Sequence, residues 1–251
     1  MGTVFSFDIR DAPTPALTRA LDEAVAWLHR VDDVFSTYRP GSQISRLGRG
    51  EIGVADCDPE VAEVLELCGT VERASGGWFS RAPGGSLDPS GLVKGWAIER
   101  ASQLLHRAGA RSSSVNGGGD VRLCGEAAPG VPWRIGVAHP RQPGELVTVV
   151  SGRALGPKQA LAVATSGTAE RGPHILDPRT GRPAASGLLS ITLVGSCLTY
   201  VDAYATAAFA MGPAAHAWVE SLPGVEAFAV TADDRAWWTS GFPSYGIVPG
   251  G

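Results

Sequence analysis

From Ser114 to Gly195 the apolar runs are short, and Gly- and Pro-bearing turns separate them. Trp133 to Ala138, Leu146 to Val150, Leu161 to Thr165 and Leu189 to Gly195 each suit one strand. Helical periodicity dominates the earlier part of the chain. Leu17, Leu21, Val25, Leu28, Val31 and Phe35 recur at three- and four-residue steps and make an amphipathic stripe. This succession excludes two large classes. There is no strict strand–helix alternation of the kind that winds a parallel sheet, and no repeat of about 20 to 50 residues that would stack into a solenoid. Runs of strands interleaved with a few helices predict an α+β fold, and 251 residues can bury a substantial core.

In chain order, Met1 to Arg10 alternates β-branched and aromatic residues as a strand does, and Pro13 and Pro15 break it. The stretch Ser36 to Ser45 reads as a polar loop. Its Tyr38 suits either stacking on a planar ligand or a half-buried anchor. Asp58-Pro59-Glu60 is a helix start with a capping Asp, and Gly76-Gly77 ends that helix. Trp78, Phe79 and Ser80 follow at once, two aromatics at the mouth of a turn that also suit plain core. Ser114 to Asp120 is a Gly-rich turn between short apolar runs. After Pro223 two last strands are expected, Val225 to Thr231 and Arg235 to Ser240, with a tail from Gly241 that frays or packs as coil.

Three stretches carry chemistry. D-P-S-G-L-V-K-G-W-A-I, from Asp88, is a Gly-bearing turn entering a helix, where unpaired N–H groups and the positive dipole end favour an anion. Lys94, placed near the first turn, is disfavoured by that dipole, so a phosphate contact accounts for it better than helix stability does. Thr165 to Pro183 mixes Glu170, Arg171, His174, Asp177 and Arg179 among Gly and Pro residues, and it reads as an irregular ligand-binding loop rather than helix or strand. Thr199 to Gly212 is a helix in which Asp202 and Thr206 share a face. They offer two hard oxygen ligands of the kind Mg²⁺ accepts, or else a helix-start Asp and a Thr bonded back to its own turn.

Composition narrows the partners. A net charge of −4 argues against a surface for nucleic acid or anionic lipid. Lys occurs only at Lys94 and Lys158. Cys57, Cys68, Cys124 and Cys197 form no C-x-x-C pair, so buried reduced thiols are expected rather than a disulfide framework or zinc site. No apolar run approaches the roughly 18–20 residues that span a bilayer, and no charged-then-apolar leader opens the sequence. As given, the chain reads as cytoplasmic, unless an export segment preceded it.

These stretches together resemble the FAD:protein FMN transferase family, the ApbE-like flavin transferases. The pieces that carry the likeness occur in the family's order: M-G-T-V-F; F-S-T-Y-R-P-G-S-Q-I-S-R-L; D-P-S-G-L-V-K-G-W-A-I; N-G-G-G-D; T-S-G-T-A-E-R with H-I-L-D-P-R-T-G-R-P; and V-D-A-Y-A-T-A-A-F-A-M-G. The H-I-x-D-P-x-T-G and D-A-x-A-T blocks are the specific ones. The resemblance implies one domain over residues 1–251, with mixed, largely antiparallel sheets flanked by helices and two lobes with the site in the cleft between them. It implies Mg²⁺-dependent transfer of FMN from FAD to a Thr or Ser hydroxyl of an acceptor protein, with AMP leaving. Hydrolysis of FAD to FMN and AMP, and a flavin-binding protein without catalysis, are the alternatives. Carried over by position, Met1, Tyr38, Trp78, Phe79, Ser80, Asp88, Lys94 and Leu176 fall where the family touches FAD. Gly91 through its carbonyl, Asp202 and Thr206 fall where it holds the metal. His174 falls at the position given to proton transfer, and Lys94 beside the phosphates joins it as a catalytic candidate. Two departures stand out: Arg81 to Leu87 is shorter than the family's usual segment, and Ala169 replaces a frequent Tyr.

Overall fold

The structure, a computed structural model, describes residues 2–152, 160–169 and 172–248. Met1, Lys158, Glu170 and Arg171 lie outside the described residues. Among the described residues, four helices of two turns or more and eleven strands are arranged around one sheet. β1 (Phe5–Ile9), β2 (Ser113–Gly117), β3 (Asp120–Cys124), β6 (Ala160–Gly167), β9 (Leu188–Gly195), β10 (Glu226–Thr231) and β11 (Ala236–Trp238) lie side by side in that order. Every pairing among the described residues is antiparallel. Two short hairpins stand apart, β4 (Arg134–Ala138) with β5 (Leu146–Ser151), and β7 (Leu176–Asp177) with β8 (Arg182–Pro183).

The two faces of the sheet differ in bulk. On β6 and β10, Ala162, Ala164, Ala227 and Ala229 point one way, and Leu161, Val163, Phe228 and Val230 point the other. The alanine face makes room for helices. Against it pack α4 (Ser90–Arg107), α5 (Leu198–Met211) and the short α6 (Ala215–Glu220); α1 (Pro15–Phe35) lies on α4, α3 (Pro59–Ala74) on α4 and α5, and α2 (Gln43–Gly48) beside α1. α5 is buried almost all round, as its Ala-rich, nearly charge-free sequence requires. The bulky face forms a second core with Trp133, Val137 of β4, Val150 of β5 and Phe242 of the C-terminal segment.

Local signals act largely as expected. Thr14 accepts the Leu17 N–H at 3.2 Å with Pro15 as the first helical residue of α1. The N-G-G-G-D turn is a two-residue hairpin, Gly118 and Gly119 both adopting positive φ between β2 and β3. Some signals act differently. Asp58 precedes α3 without capping it; its carboxylate instead pairs with Arg30 at 3.1 Å. The Ser36 to Ser45 loop gives way to α2, capped by Ser42. The tail does not fray before residue 248: Ser151 donates to the Tyr245 carbonyl, and Gly246 bridges Val150. No helix among the described residues is long and apolar enough to cross a membrane.

Candidate active site

A cavity of about 450 Å³ opens between the N-terminal end of α4, the β4 hairpin and the loop before β7. Its lining includes every site residue expected from sequence except Met1, which lies outside the described residues. Tyr38 reaches it from the loop after α1, Trp78, Phe79 and Ser80 from the turn after α3, and Asp88, Gly91 and Lys94 from the entry of α4. His174 and Leu176 come from the β7 approach, and Asp202 and Thr206 from α5. Residues more than 160 positions apart thus share one wall. Tyr38 is 93% exposed at the rim, which removes the half-buried anchor reading. Phe79 is buried core that also meets the cavity.

At the polar end, α4 and α5 touch through glycines. A methyl group on Gly95 would lie 2.5 Å from the Leu198 carbonyl oxygen and 2.7 Å from Asp202 Cβ, so only glycine permits this approach. Gly91 stands likewise beside Thr206, whose Oγ1 is 3.6 Å from where its Cβ would be. Asp202 Oδ2 accepts the Gly95 N–H at 2.9 Å. That hydrogen is the one an α-helix directs to the Gly91 carbonyl, so sharing it outward weakens the claim on that oxygen. Asp202 is 4% exposed, and burial pushes its carboxyl up to about 7; Lys94 pulls it down and Asp120 pushes it up further.

Lys94 departs from expectation. It is the fifth residue of α4 rather than part of its first turn. Its ammonium bonds the Asp120 carboxylate and lies 3.6 Å from Asp202 Oδ1. Two buried carboxylates account for the cation at this position, so the dipole argument no longer demands a phosphate. Asp120 itself is fixed by the Thr165 N–H, which donates to Oδ1 at 3.0 Å. Its role was not legible in the Gly-rich turn that precedes it.

The donors gathered here suit a hard cation. A buried carboxylate short of counter-charge, the Thr206 hydroxyl with Ser166 Oγ 3.5 Å away, and a loosened Gly91 carbonyl are oxygen ligands of the type Mg²⁺ takes beside waters and phosphates. Among the described residues no cluster of three His, Cys, Asp or Glu side chains exists that would favour a transition metal instead.

At the rim, His174 Nδ1 is 3.0 Å from the Gly172 carbonyl oxygen. A carbonyl only accepts, so the neutral ring carries its proton on Nδ1 and leaves Nε2 with a free lone pair. The expected irregular path from Thr165 to Pro183 is only partly so. Thr165 to Gly167 extend β6, and Leu176–Asp177 pair with Arg182–Pro183 around Gly181. That hairpin rests on the short Arg81 to Leu87 segment, where Gly84 Cα would lie 3.1 Å from a Cβ on Gly181. Arg179 stacks over the Trp78 ring, 3.8 Å from its centroid.

Sequence reading missed the opposite wall: Ile135, Val137 and His139 from the β4 hairpin, with Val163 and Ser190 from the sheet. Alternation in R-I-G-V-A marked a strand but gave no sign that it faces a cavity. Apart from His139 and Ser190 that wall is apolar, so the cleft has an apolar side facing its charged end.

The chain matches the sequence model of the ApbE family over residues 1–85 and 79–229. Among curated proteins it is 30% identical over 217 residues to a Rhodobacter capsulatus FAD:protein FMN transferase, covering 83% of this chain and 37% of that protein. It is 34% identical over 135 residues to the Vibrio cholerae FAD:protein FMN transferase, covering 50% of this chain and 39% of that one. The matched region thus spans about two fifths of either relative. Among solved structures, the flavin transferase ApbE from Vibrio cholerae superposes with a TM-score of 0.79 at 21% identity, covering 98% of this chain and 96% of that chain. The ApbE protein from Thermotoga maritima gives 0.80 at 23%, covering 96% and 95%. These superpositions establish the fold.

Proposed function

The chain belongs to the ApbE family, and from that premise we propose that it transfers FMN from FAD to a Thr or Ser hydroxyl of an acceptor protein, with Mg²⁺ bound and AMP released. One observation carries the reading. The residues expected to touch FAD, hold the metal and move the proton come from six separate segments, and those described meet in one cleft. The same observation supports a single catalytic domain over residues 1–251 rather than a division of labour between units.

In this reading the apolar β4 wall and the Trp78 and Tyr38 rings take a flat ring of FAD, and the pyrophosphate lies toward the start of α4. The attacking hydroxyl gives its proton to His174 Nε2 while its oxygen bonds the phosphorus on the FMN side. The P–O bond to the AMP phosphate breaks, and that oxygen leaves with AMP. Such transfer needs positioning and charge neutralisation more than covalent help. Mg²⁺ held by Asp202, Thr206 and the Gly91 carbonyl would supply charge neutralisation at the phosphates. Lys94 keeps Asp202 and Asp120 in place and contributes positive charge nearby. Gly172 holds the His174 ring in the tautomer that accepts a proton.

Incubation with FAD, Mg²⁺ and a peptide bearing a candidate acceptor Thr tests this. The expected product is a peptide heavier by one esterified FMN, with AMP in equal amount. FMN released without peptide modification would make water the acceptor. Calorimetry showing no FAD binding with Mg²⁺ present would end the flavin reading.

A further inference from the structure

We propose that Glu99 and Arg122, an ion pair remote from the cleft, are positioning residues that set the register of α5 along α4. Through that register they place Asp202 and Thr206 against Gly91 and Lys94. The inference rests on the reading of those residues as the metal and phosphate end of the site.

The two helices run antiparallel and meet in three rungs, each one turn apart. On α4 the positions are Gly91, Gly95 and Glu99; on α5 they are Thr206, Asp202 and Leu198. Gly91 faces Thr206, and Gly95 faces Asp202 and the Leu198 carbonyl. At the last rung Glu99 Oε2 accepts the N–H of Leu198, the first residue of α5, at 2.8 Å. Cys197, which precedes α5, makes no side-chain cap, so Glu99 from another helix serves as the cap. The first two rungs fix how closely the helices approach. The Gly95 N–H bonded to Asp202 marks the register at the middle rung only, and the glycine surface around it offers no ledge. The Glu99 carboxylate bound to the Leu198 N–H fixes it at a second point, where α5 begins.

Arg122 holds that carboxylate. It reaches from β3, with Nε 3.0 Å from Glu99 Oε2, and both residues are under 10% exposed. Nε stands at ion-pair distance without hydrogen-bond alignment, and both Nε and Nη1 are buried without a hydrogen-bond partner among the described residues. A buried pair with an unsatisfied donor is a poor device for stability, since apolar residues of similar bulk commonly do as well or better. It is a good device for specifying one arrangement. β3 also carries Asp120, the partner of Lys94, so the strand ties both ends of the ladder.

The test compares two double variants that strand no buried charge. Glu99→Leu/Arg122→Leu removes the pair and the cap. Glu99→Gln/Arg122→Met removes the charges but keeps an oxygen for the Leu198 N–H. Crystal structures of the metal-free proteins decide the register. In the Leu/Leu variant α5 should shift by ~1 Å or more along α4, the scale of helix shifts between packed states, and should lose the Gly95 to Asp202 hydrogen bond. The Gln/Met variant should keep both. Mn²⁺ binding, followed by electron paramagnetic resonance as a stand-in for Mg²⁺, reads the consequence. Affinity should fall ~10-fold or more in the Leu/Leu variant, as when a support of a metal ligand is removed, and stay within ~3-fold in the Gln/Met variant. An unshifted α5 in the Leu/Leu variant overturns the proposal, whatever its melting temperature. If the unaltered protein binds no Mn²⁺, the metal reading falls, and the crystal structures still decide the register.

Discussion

Gly95→Ala sets helix propensity against packing. In an isolated helix the change would stabilise by about 1 kcal/mol. Here the new methyl would sit 2.5 Å from the Leu198 carbonyl oxygen and 2.7 Å from Asp202 Cβ. Neither is the tip of a flexible side chain, so the helices must part or bend. Overpacking of this kind costs about 1–3 kcal/mol, and with backbone struck the upper end applies. The net is a destabilisation of about 2 kcal/mol. For a chain of this size that corresponds to a fall in Tm of roughly 4–8 °C. Gly41→Ala is the control: nothing lies within 4 Å of its Cβ position, and the change should stay within about 0.5 kcal/mol. Calorimetric melting of the metal-free proteins gives both values. Because the widened gap lies at the middle rung of the helix pair, flavin transfer should fall as well. A Tm for Gly95→Ala at or above that of the parent would refute the reasoning, since propensity would then have won.

Lys94→Ala should cost about 3–5 kcal/mol in urea unfolding, because it leaves Asp120 and Asp202 buried without their cation; a residue serving only a bound phosphate would change affinity and leave stability alone. His174→Asn should hold FAD affinity within a few-fold and slow transfer by ~10²-fold or more, while a raised KM with unchanged kcat would reject the base assignment. Asp202 gives a pH signature. Its raised pKa means that the folded, metal-free chain keeps this proton to higher pH than the unfolded chain does. The stability so contributed is whole below the ordinary Asp range near 4 and is lost as pH rises toward about 7. Asp202→Asn should therefore lose less stability than the parent between those limits, in melts followed across pH, and identical profiles would show that the carboxyl titrates normally.

What the sequence disclosed was what lies within a turn or two of itself. The stripe from Leu17 to Phe35, the Pro59 start and the Gly-Gly hairpin each fix local structure through near neighbours, and they match the observed α1, α3 and β2–β3. The residues that the motif blocks marked, where described, line one cleft, because each block holds its own chemistry. Partners across the fold stayed hidden. Asp120 looked like the end of a turn until Lys94, 26 residues away, met it. Nothing in the sequence singled out Glu99 or Arg122, though they face each other in the interior. The β4 wall was hidden for another reason: apolar residues that line a cavity and those that fill a core obey the same alternation.

The β4–β5 hairpin belongs to no larger sheet, yet it forms one side of the cleft. Besides its place in the second core and the Arg141 bonds to Asp234 and Ala232, it is fastened by the end of the described chain: Ser151 to Tyr245, Thr148 to Ile247 and the bridge from Val150 to Gly246. Tyr245, Gly246 and Ile247 therefore act as a buckle on the cleft, although none of them lines it. Clipping the chain behind Phe242, or fusing a bulky partner there, would loosen a wall rather than trim an ornament. A loss of FAD affinity after cleavage behind Phe242 would report the unfastened hairpin before any change in the helices.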